Sequence, residues 1–117
     1  MIDKINNLIG KPYNAKTFNC YHLVQVLVEC APDYDSVASR LTQTRHLNED
    51  DYTGLTVVTE FIDGDIILLG REFKKLHHAG VYHSGLIIHA EYPAVAACSI
   101  SDMLKLYPVM KGLRCTV

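Results

Sequence analysis

The sequence predicts an α+β domain in which N-terminal helices pack on a central antiparallel sheet. Three observations carry this. Apolar residues recur at helical spacing in "IDKINNLI" and "CYHLVQVLV". From residue 65 the pattern turns strand-like, in "DIILL", "HAGVYH" and "LIIHAE". Two glycine turns, Asp63-Gly64 and Ser84-Gly85, punctuate those runs. Helices followed by a run of strands are the signature of an α+β arrangement.

The elements follow in order. Residues 2–9 place Ile2, Ile5, Leu8 and Ile9 at helical spacing, with Asp3 near the positive end of the helix dipole. Gly10 stops this helix and Pro12 confirms the break. "KPYNAKTFN" reads as an irregular loop. A second helix is expected from near Cys20, turning Leu23, Val24, Leu27 and Val28 inward. "APDYDSVASRLTQTRHL" fits a short helix from Asp35 to Leu47, with an acidic turn at "NEDD", whereas "TGLTVVTEFI" shows no assignable pattern. Ser84-Gly85 is a two-residue hairpin loop between "HAGVYH" and "LIIHAE". Ser99 stands three residues before Asp102, a loose capping box, so a short helix is expected to end before Pro108. "GLRCTV" is then expected to return as an edge strand.

The 117 residues suit one domain spanning 1–117, and 49% hydrophobic residues are enough for a core. A net charge of −2 supplies no basic face for a phosphate backbone, so no nucleic-acid partner is expected. Residues 1–20 lack a charged start followed by an apolar core, so no secretory signal is expected. No apolar run approaches the roughly 18 residues that cross a bilayer, so a soluble product of the cytoplasm without membrane insertion is expected.

Four cysteines are widely spaced without a CxxC pair, which argues against a structural zinc knuckle. Cys30, Cys98 and Cys115 read as small buried hydrophobes, with a disulfide still compatible. Cys20 differs, because it sits where a polar stretch becomes a helix. A helix N-terminus favours a thiolate, and a nearby imidazolium favours it further.

The hairpin supplies the imidazoles. With Ser84-Gly85 as the turn, His83 pairs with Leu86, Tyr82 with Ile87, Val81 with Ile88 and Gly80 with His89, and His78 falls opposite Glu91. His78 and His89 then share a sheet face as diagonal neighbours, about 7–8 Å apart at the backbone. Gly80 leaves room for the ring of His89. One histidine could act as base while the other holds its tautomer. His22, His46, His77 and His83 read as surface or packed residues.

"IGKPYNAKTFNCYHLVQ", then "DGDIILL", then "HHAGVYHSGLIIHA" resembles the NlpC/P60 family of papain-like cysteine peptidases, especially the short forms of bacteriophage tails. That pattern runs from a tyrosine-containing loop to a cysteine opening a helix, a Gly-Asp strand, a His-x-Gly-x-Tyr strand and a strand ending in His-Ala. It covers roughly residues 8–91 through Tyr13, Cys20, Gly64-Asp65, His78 to Tyr82 and His89-Ala90. The resemblance implies a papain-like fold with Cys20 as nucleophile, His78 as general base and His89 orienting it. The Cys20 amide, with Tyr13, would serve the oxyanion, and Tyr21 and Tyr82 would line the substrate groove or pack in the core. Asn19-Cys20-Tyr21-His22 stands where the family commonly has Asp-Cys-Ser-Gly.

The resemblance implies hydrolysis of peptidoglycan stem peptides, typically at a γ-D-glutamyl bond to the diamino acid, without metal or cofactor. The partners it implies are that peptide and other phage tail proteins, with delivery to the cell wall on the tail. Three alternatives stay open. One is a structural tail component with little activity. Another is an amidase, deamidase or acyltransferase using the same Cys-His pair. The last is a zinc site drawn from Cys20, His78, His89 and Glu91.

Overall fold

The computed structural model describes residues 1–28, 55–72 and 75–115. Helix α1 (Ile2–Leu8) carries Asp3 in its first turn and gives way at Gly10, whose φ of +86° is open to glycine and costly for other residues. Its apolar stripe narrows to one fully buried anchor, Ile5, with Leu8 half-buried, while Ile2 and Ile9 are exposed. The chain beyond it is clamped by backbone bonds: Gly10 N–H donates to the Val95 carbonyl, Val95 N–H to Lys11, and Tyr13 N–H to Pro93.

Helix α2 (Cys20–Leu27) buries Cys20, Tyr21, Leu23, Val24 and Leu27. Removing a leucine such as Leu23 from water stabilises the fold by about 1.5–3 kcal/mol. The helix stops at Val28, which is extended and also buried.

Among the described residues six strands form one antiparallel sheet: β1 (Leu55–Val58), β2 (Ile66–Glu72), β3 (Lys75–His83), β4 (Leu86–Glu91), β5 (Ala94–Ser99) and β6 (Val109–Cys115), in the order β1-β6-β2-β3-β4-β5. Helix α3 (Ile100–Leu106) links β5 to β6, capped by the Ser99 hydroxyl accepting from Asp102 N–H. Side-chain alternation divides the core between the two faces. Helix α2 packs with Ile66, Leu68, Ala79, Val81, Ile88 and Ala90 on one face. Ile67, Leu69, Ile87, Met103 and Tyr107 form the core on the other.

The β3–β4 hairpin has the expected register, with His83, Tyr82, Val81 and Gly80 opposite Leu86, Ile87, Ile88 and His89. Its turn places both Ser84 (φ 51°) and Gly85 (φ 80°) in the left-handed region, the conformation of a type I′ loop.

Two expectations are corrected. Within "GLRCTV", Gly112 to Cys115 belong to β6, which is an interior strand between β1 and β2, because both of its sides are paired. "TGLTVVTEFI" contains strand β1. The alanine-rich stretch at 94–99, to which the sequence reading assigns no element, forms β5, although alanine is a poor strand former. The expected helix from Asp35 to Leu47, the turn at "NEDD", Cys30 and His46 lie outside the described residues. Among the described residues no helix is long and apolar enough to cross a membrane.

Candidate functional site

Cys20 owes its position to the cap of α2. Asn19 takes an extended conformation, and its side-chain oxygen accepts from the N–H groups of Tyr21 (3.0 Å) and His22 (3.3 Å). His22 Nδ1 in turn accepts from Asn19 N–H at 3.0 Å, closing a capping box with histidine in the usual Glu or Gln place. Asn19 Nδ2 donates to the Ala15 carbonyl, tying the preceding loop to the same cap. His22 is thereby occupied locally, as a structural residue of the helix start.

The strands provide the other half. On β3 the register slips next to His78: Leu69 pairs with His78, but Gly70 pairs with Leu76. This bulge at His77 reverses the alternation, so Leu76 packs on the α2 face while His78 turns to the face of Tyr107. The bulge carbonyl of His77 accepts the Tyr21 hydroxyl at 3.0 Å, which fastens the start of α2 beside His78. The β3–β4 ladder ends at Gly80–His89, although β4 runs on to Glu91. Beyond that end lies a cavity of about 280 Å³. Cys20 and Tyr21 enter it from α2 with Asn19 from its cap, His77, His78, Ala90 and Glu91 from the strands, and Tyr13 from the loop. The seam between two parting strands thus brings a thiol from one face together with an imidazole from the other.

His89 stands behind His78 and does not line the cavity. His78 Nε2 and His89 Nδ1 are 3.0 Å apart. Tyr107 stacks on His78 with ring centroids 5.0 Å apart and donates its hydroxyl to Glu91 Oε1 at 2.9 Å. Glu91 Oε2 lies 3.6 Å from His89 Nδ1 and 3.9 Å from His78 Nε2. These three ligand-type atoms are near enough to one another to hold one metal ion. A proton shared by the two imidazoles accounts for the shortest separation without an ion.

The electrostatics of the resting site differ from the expected activated thiolate. Burial pushes the Cys20 thiol up to about 12, and Glu91 adds to the shift. The N–H groups of Ala79, Cys20 and Tyr21 favour the thiolate but do not offset the loss of water. Burial likewise lowers His78 to about 3, with His89 and His77 adding to the effect. His89 is lowered by burial against the opposing pull of Glu91. The resting pair is a neutral thiol and a neutral imidazole. Among the described residues the Cys20 sulfur makes no hydrogen bond to His78; the two share the cavity wall.

Cys20, His78, Tyr13 and Tyr21 therefore meet at one cavity, with His89 one hydrogen bond behind. Tyr82 is the exception. It packs edge-on against Phe61, centroids 5.8 Å apart, in the core of the Tyr107 face, so its reading as a groove residue is corrected to the packing alternative. Glu91 enters the site from the end of β4, where the hairpin reading already sets it near His78, whereas Tyr107 enters from the end of α3, a convergence that the sequence pattern does not encode. Cys98 was read as a buried hydrophobe, but it is a half-buried free thiol 3.3 Å from His89 Nε2. Cys115, read the same way, is disulfide-bonded. Compared with protein-family models, with curated proteins and with solved structures, the chain matches none.

Proposed function

We propose that the chain is a cysteine hydrolase of NlpC/P60 type that cleaves peptidoglycan stem peptides at a γ-D-glutamyl bond to the diamino acid, working at the cell wall as part of a phage tail. The observation that carries the reading is one cavity holding the Cys20 thiol and the His78 imidazole, with His89 hydrogen-bonded behind His78. The bond and the wall substrate come from the motif resemblance.

Because the resting pair is neutral, proton transfer accompanies attack. His78 takes the Cys20 proton as the sulfur adds to the scissile carbonyl, and the N–H of Cys20 receives the developing oxyanion together with Tyr13. The protonated His78 then gives its proton to the leaving amine, which leaves an acyl-enzyme on Cys20. His78 next removes a proton from water, the hydroxide adds to the thioester carbonyl, and the Cys20 thiol is released with that proton. A cavity of about 280 Å³ lies near the low end for small-ligand sites, enough for the scissile bond and one flanking side chain.

The test is mass spectrometry of muropeptides from diaminopimelate- and lysine-type walls, incubated with wild type and with Cys20→Ala. A new fragment that vanishes in the variant is expected, and its mass names the bond. No fragment from wild type on either wall would sink the reading in favour of a structural tail component or a substrate outside the wall.

A further inference from the structure

Cys98 closes a line of three side chains behind the cavity. Its sulfur lies 3.3 Å from His89 Nε2, and His89 Nδ1 lies 3.0 Å from His78 Nε2. A neutral imidazole carries one proton, so it donates at one nitrogen and accepts at the other. Two proton arrangements satisfy both contacts. In one, Cys98 S–H donates to His89, His89 Nδ1–H donates to His78 Nε2, and the His78 proton sits on Nδ1. In that arrangement His78 has no free lone pair with which to take a proton from Cys20.

In the other, His89 Nε2–H donates to the sulfur, His78 Nε2–H donates to His89 Nδ1, and His78 Nδ1 carries a lone pair. Only this second arrangement lets His78 act as a base, and it leaves sulfur lone pairs facing His89. Burial raises the Cys98 pKa, with the Asp102 and Glu91 carboxylates adding to it, so the sulfur stays a protonated, neutral acceptor. The backbone supplies the alignment: Ile87 pairs with Cys98 and His89 with Ala96, so Cys98 is diagonal to His89 on the same sheet face.

On the hydrolase reading above, we propose that Cys98 is a positioning residue, whose sulfur accepts the His89 Nε2–H and so fixes the tautomers that make His78 Nδ1 the base. It touches no substrate and acts through two imidazoles in series.

The experiment is long-range ¹H–¹⁵N NMR of the full chain labelled at histidine, at pH 7, joined to steady-state cleavage of muropeptides. Wild type should show both His78 and His89 protonated at Nε2. Cys98→Ala should bring His89 Nδ1–H into the spectrum and lower kcat about tenfold, the worth of one hydrogen bond, at unchanged KM. Cys98→Ser, which keeps an acceptor, should restore both. His89 found as the Nδ1–H tautomer in wild type would overturn the proposal. So would a Cys98→Ala protein with unaltered tautomers and kcat. If wild type cleaves nothing, the hydrolase reading fails by itself, and the tautomer spectra still decide what Cys98 does.

Discussion

His78 and His89 meet edge to face, their ring planes at 90° and their centroids 5.1 Å apart, with one hydrogen bond joining Nε2 to Nδ1. They come from different strands and reach each other across the diagonal of the Gly80–His89 pair. Both rings are buried. Burial lowers the pKa of both rings, so the pair rests uncharged.

Acid should destabilise the protein through these rings. Their pKa values in the folded state lie below the ordinary 6.5, at about 3 for His78. An unfolded chain therefore takes up protons that the folded chain refuses. Stability is complete above about 6.5 and falls as pH drops toward 3. The slope reaches about 1.4 kcal/mol per pH unit for each histidine once the unfolded chain is charged. Melting temperatures followed by circular dichroism from pH 7.5 to 5 should decline, and His78→Gln should flatten the decline. Identical slopes in the two proteins would mean that His78 is not held neutral by the fold.

The Cys20 thiol should be sluggish at rest. With its pKa raised to about 12, almost none of it is thiolate at neutral pH. Iodoacetamide followed by peptide mapping should modify Cys20 slowly in the folded protein and quickly in urea. The folded-state rate should climb steadily from pH 7 to 10. Rapid labelling at pH 6 with a plateau above it would reveal a preformed thiolate–imidazolium pair.

Gly80 should tolerate no side chain. A methyl group there would sit 2.7 Å from Ile87 Cγ2, 2.8 Å from the Ile88 carbonyl oxygen and 3.3 Å from His89 Cβ. The carbonyl is backbone and cannot turn aside, so the hairpin must spread. Gly80→Ala should cost about 1–3 kcal/mol in urea unfolding, the range for overpacking a close-packed site, and displace the His89 ring signals in NMR spectra. An unchanged midpoint would show that β3 and β4 have slack at this pair.

The hairpin was legible because a period of two and a Ser84-Gly85 loop leave one register that keeps the histidines together. The start of α2 was legible for a similar local reason, since Asn19 and Cys20 lie where polar residues meet an apolar run. The role of Cys98 stayed hidden because 94–99 reads as an alanine-rich stretch of low strand propensity. A strand there, paired across a turn at Tyr92-Pro93, would have placed Cys98 diagonal to His89 by the same argument that placed His78. Tyr107 comes to His78 from beyond α3, through tertiary packing that no local pattern specifies. The sign of the Cys20 shift was also out of reach, because dipole and neighbour effects can be read from position whereas the extent of burial cannot.

The parting of β3 and β4 beyond Gly80 carries a consequence for biosynthesis. The thiol is translated early, the two imidazoles much later, and Tyr107 later still. Until both strands have left the ribosome and closed against each other, Cys20 has neither the His78 ring nor a cavity beside it. A nascent or truncated chain therefore carries the thiol without its pocket, and the pocket forms only with the completed sheet.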